Sequence, residues 1–240
     1  MTLNGTQKLP KSGKLHLELG GMYLHTKEYD KAINYFEKGI DVEPGYPSNY
    51  YQLAKIFLNS EEEVWGMIYG EIFMNLERNS ARTAEISKML YDTYKSEIKF
   101  TSDTSFTISF SKSAIINTSS KKIELPFGVG VYEPTLMMEI IPEKQIDLNS
   151  LDRIRTGFLK NYFSNNRHKK YPNVLFDYQN IILKEGHLES YNHWILMKGD
   201  EGGFNRWREG NAEKWTKFTD WFNRNALKIN DKNKFIRTQY

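Results

Sequence analysis

The chain has 240 residues, 33 of them basic and 30 acidic, for a net charge of +3, and no cysteine. That length can bury a core without cross-links, and the missing thiols exclude disulfides, thiolate zinc sites and cysteine nucleophiles. The near-balanced charge argues against the basic stripe of a nucleic-acid binder, and no apolar run reaches the ~20 residues a bilayer-spanning helix needs.

Residues 1–13 read as a flexible lead-in. They contain no apolar stretch of the kind a signal peptide requires. The sequence as given therefore points to the cytoplasm, or to the periplasm or envelope if a leader has been removed. Residues 14–98 carry helical periodicity. Leu15, Leu19, Met22 and Tyr23 share one face, as do Ala32, Ile33, Phe36 and Ile40 after the turn HTKEYD. Pro44, Gly45 and Pro47 stop this second helix. A third follows through Tyr50, Leu53, Ala54 and Phe57, and a fourth through Trp65, Ile68, Ile72 and Leu76. Ser80 introduces a fifth, with Ile86, Leu90 and Tyr94.

Near Phe100 the period changes to two. SFTISFS alternates Phe106, Ile108 and Phe110 with Thr and Ser, the pattern of a half-buried strand. SAIIN, KKIEL and the apolar run TLMMEII, between Pro134 and Pro142, are further strand candidates. Gly128 and Gly130 suggest a turn or bulge. Residues 99–146 are thus expected to form a small antiparallel sheet of three to five strands. Residues 147–240 return to helices. Asn149 or Ser150 is the expected first cap, Pro172 and Gly186 bracket another helix, and Asp200 is a further cap. Trp215, Phe218, Trp221 and Phe222 lie on one face of the last long helix, with helix-packing spacing, and Phe204 and Trp207 are positioned to join them. The tail KINDKNKFIRTQY reads as polar and extended. The expected fold is α+β and mainly helical, with no flexible linker between its parts.

One motif names a family. Leu19, Gly20, Tyr23, Ala32, Phe36 and Pro44 fall on the pattern of a tetratricopeptide repeat (TPR), a helix-turn-helix unit of ~34 residues. Thirty-four positions on, Tyr50, Leu53, Ala54, Phe57 and Gly66 match again, after which the likeness decays. The fifth helix then reads as a cap over the last apolar face. The stretches VWGMIYGEIFMNLERN, YPNVLFDYQ and NKFIRTQY are also similar to a group of uncharacterised bacterial TPR-containing proteins. The resemblance implies binding of a protein or peptide on a concave surface. Here that surface corresponds to Lys14, Leu17, Gly21, Leu24 and His25, then Ser48, Tyr51, Lys55, Leu58 and Asn59, centred on Tyr51. Leu17 and Gly21 stand where a carboxylate-clamping repeat carries Lys and Asn, so a receptor for C-terminal carboxylates is not implied.

Motifs for chemistry are weak. His16, His25, His168, His187 and His193 include no i, i+4 pair, and HExxH, GxSxG, GxGxxG and P-loop patterns are all missing. His187, Glu189 and His193 are close in sequence, but a structural role is the plainer reading. Glu71 with Glu77, and Asp177 with Glu185, read as helix-surface carboxylates. Gly66 and Gly70 form GxxxG in a soluble setting, which reads as close helix packing. No catalytic residue, metal site or cofactor is implied. The leading expectation is a non-enzymatic scaffold for a protein or peptide partner. The alternatives are an enzyme, such as a hydrolase with a site between sheet and C-terminal helices, and an envelope accessory or carbohydrate-binding protein. A nucleic-acid surface would need Arg153, Arg155 and Lys160 to join the run Arg167–Lys170 in one stripe.

Overall fold

The computed structural model describes residues 12–102, 105–112 and 125–240. Helix α1 (Gly13–His25) and α2 (Tyr29–Val42) form one hairpin, α3 (Pro47–Phe57) and α4 (Glu63–Leu76) a second, and α5 (Ala81–Glu97) lies against both α3 and α4. The starts of α1, α3 and α5 are spaced by two steps of 34 residues, and α2 and α4 keep the same step. Chemistry at the helix ends explains part of this regularity. Pro47 occupies the first turn of α3, where its missing N–H costs nothing. Ser80 and Thr83 form a reciprocal capping box at α5.

After α5 the chain makes a two-stranded antiparallel ribbon, β1 (Ile98–Ser102) and β2 (Ser105–Ile108), with Ile98 opposite Ile108 and Phe100 opposite Phe106. A π-helical turn over Gly128–Tyr132 runs into α6 (Glu133–Ile140). Then follow α7 (Leu148–Ser164), the single turn α8 (Arg167–Lys170), α9 (Val174–Lys184), α10 (Leu188–Leu196), α11 (Glu201–Gly210) and α12 (Ala212–Arg224). The fold is α+β and mainly helical, with a small antiparallel sheet in the middle.

The core is built around α4. From Val64 to Asn75 every residue of this helix except Trp65 is buried, as expected of a helix with neighbours on all sides. Its two glycines make the close approaches. A Cβ on Gly66 would lie 2.6 Å from the Leu58 backbone nitrogen, and one on Gly70 would lie 3.1 Å from Ile86. In the first hairpin Gly20 sits beneath the fully buried ring of Phe36.

Three expectations are corrected here. TLMMEII is helical. Thr135, Leu136 and Ile140 are buried while Met137, Met138 and Ile141 are exposed. The run has no period of two, and Pro134 falls in a first helical turn, which it suits. Gly128 and Gly130 belong to the π-helical turn rather than to a β-turn or bulge, and the close approach of Ser111 leaves no room for a Cβ on Gly128. The cap of α7 is Asp147, whose carboxylate accepts from Ser150 N at 2.8 Å while Ser150 Oγ accepts from Asp147 N at 2.9 Å. Among the described residues the sheet has two strands. SAIIN and all of KKIEL except Leu125 lie outside the described residues.

The tail, read from sequence as polar and extended, is anchored by apolar and charged contacts. Phe235 is buried, with its ring 5.5 Å from Tyr69 and 6.4 Å from Trp65. Lys234 pairs with Asp41 at 2.6 Å and Arg237 with Glu37 at 2.9 Å. Tyr240 sits 4.6 Å from the Phe127 ring and donates to the Pro172 carbonyl at 2.9 Å. Polar composition hid the few apolar side chains that anchor an extended segment along α2 and α4.

Two outcomes are expected. Phe36→Ala should lower unfolding stability by roughly 3–5 kcal/mol in a urea titration, since the ring is fully buried. Burial pushes the Glu63 carboxyl from 4.5 up to about 7, and its Oε2 has no hydrogen-bond partner among the described residues. Between those values the folded protein keeps a proton that the unfolded chain has released, so stability falls as pH rises across that window. Glu63→Gln should flatten that slope and raise Tm at pH 8; an unchanged or lower Tm there would contradict the assignment.

Candidate functional site

Polar groups gather in an enclosed cluster at the centre of the helices. Glu71, in the middle of α4, is 4% exposed, and Arg155 of α7 is 7% exposed. They meet face on, Nη1 to Oε1 at 2.5 Å and Nη2 to Oε2 at 2.8 Å. Gln179 of α9 donates to Glu71 Oε2 at 2.8 Å, and the Tyr191 hydroxyl of α10 donates to the same oxygen at 3.2 Å. The remaining Arg155 hydrogens reach Asn192 Oδ1 at 2.9 Å and the Tyr94 hydroxyl at 3.1 Å. Burial works against the charge on Arg155, but Glu71 beside it prevails and holds the guanidinium above its ordinary pKa. Burial pushes the Tyr94, Tyr132 and Tyr191 hydroxyls up. Those tyrosines stay neutral and the arginine charged at physiological pH. The void beside them is about 20 Å³, room for one water.

This cluster overturns one sequence reading. Glu71 is not a surface carboxylate; only its companion Glu77 is partly exposed, paired with Arg82. The basic stripe does not form, because Arg155 is buried against Glu71 and Arg153 pairs with Glu143 at 2.6 Å. The histidines do not converge either. His193 is buried, stacked 4.1 Å from the Trp207 ring, with Nδ1 2.9 Å from the Glu189 carbonyl, and burial lowers its pKa. His187 instead lies 5.5 Å from Trp221. Among the described residues no group of three His, Asp or Glu could hold a metal ion. The aromatic face of α12 is mostly core: Phe218 and Phe222 are buried, and Trp215 meets Phe204 at 5.3 Å and Trp207 at 6.1 Å.

An open groove lies on the hairpins. A groove of about 580 Å³ runs between the α1–α2 turn and α3. Leu24, Tyr29, Ile33 and Ile56 form its apolar walls, and Gln52, Lys55 and Asn59 supply polar edges. Tyr29 is half exposed.

The ten residues assigned to the binding surface separate accordingly. Leu24, Lys55 and Asn59 line the groove. Lys14, Gly21 and His25 are exposed on α1, and Leu17 is half-buried. Of the others, Ser48 and Tyr51 are engaged by α5 and Leu58 by α4. Tyr51 is 9% exposed, packed 5.1 Å from Phe73, and its hydroxyl donates to Glu85 at 2.5 Å. Lys55 also pairs with Glu85, at 2.9 Å. Ser48 accepts from Arg82 at 3.1 Å. Leu58 is buried against Gly66. Tyr51 is therefore not the centre of an open surface, and Leu58 is not part of one. The signal was available in the 34-residue step, because one more step from Ser48 and Tyr51 lands on Arg82 and Glu85. Tyr29, Ile33 and Ile56 gave no such signal, since their exposure depends on how α2 and α3 are set against each other.

Comparison with protein-family models, curated proteins and solved structures finds no match to this chain.

Arg155→Met should cost about 3–5 kcal/mol in chemical denaturation, because it leaves Glu71 as an unpaired buried charge. Glu71→Leu combined with Arg155→Met should recover most of that loss. A double variant no more stable than the single one would show that the pair is not the source of the effect.

Proposed function

We propose that this chain is a non-enzymatic scaffold of tetratricopeptide type that binds a protein or peptide segment in the groove between the α1–α2 turn and α3. The observation that carries the reading is the groove itself, an open apolar channel with polar edges on a regular pair of hairpins. Its walls can bury a partner's apolar side chains, while Gln52 and Asn59 can satisfy backbone groups of an extended segment. The 34-residue spacing of α1, α3 and α5 supports the repeat assignment. The best-organised polar cluster is enclosed, with space for a single water, so it gives a substrate no entry.

The test is peptide display against the intact chain, followed by fluorescence anisotropy with enriched peptides. Tyr29→Ala and Leu24→Ser are each expected to weaken binding about tenfold. Met138→Ser, on the exposed face of α6, should leave it unchanged. Failure to enrich any peptide, or equal loss in all three variants, would refute the groove.

A further inference from the structure

A second pocket, independent of the groove, opens between α9, the end of α12 and the tail. Its volume is about 320 Å³, within the range of small-molecule sites. The floor is apolar: Val174 and Leu227 are buried, Trp221 is half-buried, and Ile181 is half exposed on the rim.

The walls are held in place. The Tyr178 hydroxyl donates to the Asn225 carbonyl at 2.6 Å, joining α9 to the end of α12. The Trp221 ring lies 6.4 Å from the Tyr178 ring and 5.5 Å from that of His187, between centroids. The loop closing the rim is tied by Asn233, whose amide donates to the Lys228 carbonyl at 2.9 Å and whose Oδ1 accepts from Asn230 N at 2.8 Å.

Two cations edge this pocket, Arg224 and Lys228. Neither has a carboxylate partner among the described residues. Arg224 is also not consumed in capping its own helix. The Trp221 carbonyl is taken by the Asn225 backbone and side-chain amides at 3.0 and 2.8 Å, and the Phe222 carbonyl by Arg78 at 2.7 Å. Asp177, on the α9 wall, forms no ion pair with either cation, so the pocket keeps a net positive edge over an apolar floor.

We propose that this pocket is a binding site for a small carboxylate with an apolar or aromatic body. The body stacks on Trp221 between Ile181 and Leu227, and the carboxylate faces Arg224 and Lys228. Two cations without carboxylate partners at the edge of an apolar pocket attract an anionic head, and an arginine fork suits a carboxylate in particular.

Ligand-observed NMR on the full chain tests this with phenylacetate and its cationic counterpart phenethylamine. Saturation transfer to phenylacetate is expected, with affinity at least fivefold above that for phenethylamine. Arg224→Gln combined with Lys228→Gln changes only exposed side chains and should remove that preference. Ile181→Asp, at the half-exposed rim, should weaken phenylacetate at least fivefold with the melting curve retained. No transfer to phenylacetate, equal binding of both probes, or a charge variant that binds as the parent does would each overturn the proposal.

Discussion

The Glu71–Arg155 pair is the constraint around which the C-terminal helices are organised. Two charges taken out of water are costly, and their mutual attraction offsets that cost only when geometry is good and the leftover hydrogens and lone pairs are satisfied. Here α4 supplies the carboxylate and α7 the guanidinium, while α5, α9 and α10 supply Tyr94, Gln179, Tyr191 and Asn192 as further partners. A shift of any of these helices by one residue would strand a charge or a polar group. The pair joins α4 to α7 through two hydrogen bonds, although an apolar pair of similar volume can do as well or better energetically.

That arrangement explains why α4 belongs to two structures at once. On one side it completes the second hairpin, using Gly66 and Gly70 for close approach to α3 and α5. On the other it presents Glu71 and Asn75 to the C-terminal helices, and Asn75 donates to the Tyr191 hydroxyl at 2.8 Å. The tail closes a third side. The Arg237 backbone donates to the Tyr69 hydroxyl at 2.9 Å, which in turn donates to Glu37 at 3.0 Å. With α4 enclosed, the exposed residues of the hairpins lie on α1, on the outer face of α2 (Asp30, Lys31, Asn34, Lys38) and between the α1–α2 turn and α3.

The two open sites have different chemistry. The groove is the larger of the two, with apolar walls and edges that include the amides of Gln52 and Asn59 and the ammonium of Lys55. The Trp221 pocket is smaller and edged by two cations, which suits a compact anion. The enclosed cluster fits neither role, because its volume admits one water and its charges are already matched. A rich collection of titratable groups is therefore no guide to function when each already has a partner.

By itself the sequence determined the helical hairpins, their 34-residue step, the ends of several helices and the ribbon of alternating residues after Phe100. These follow from local physics: periodicity of apolar residues, caps such as Ser80 and Asp200, Pro44 just past the end of α2, and the left-handed Gly186 that ends α9. Only the tertiary structure decided that TLMMEII is a helix, that Tyr51 lies under α5, that Glu71 is enclosed and that the tail is anchored. Each of those depends on contacts between residues far apart in sequence, such as Glu71 with Arg155 or Glu37 with Arg237. A charged side chain reads as exposed until the residue that neutralises it is brought beside it, and no local pattern carries that information.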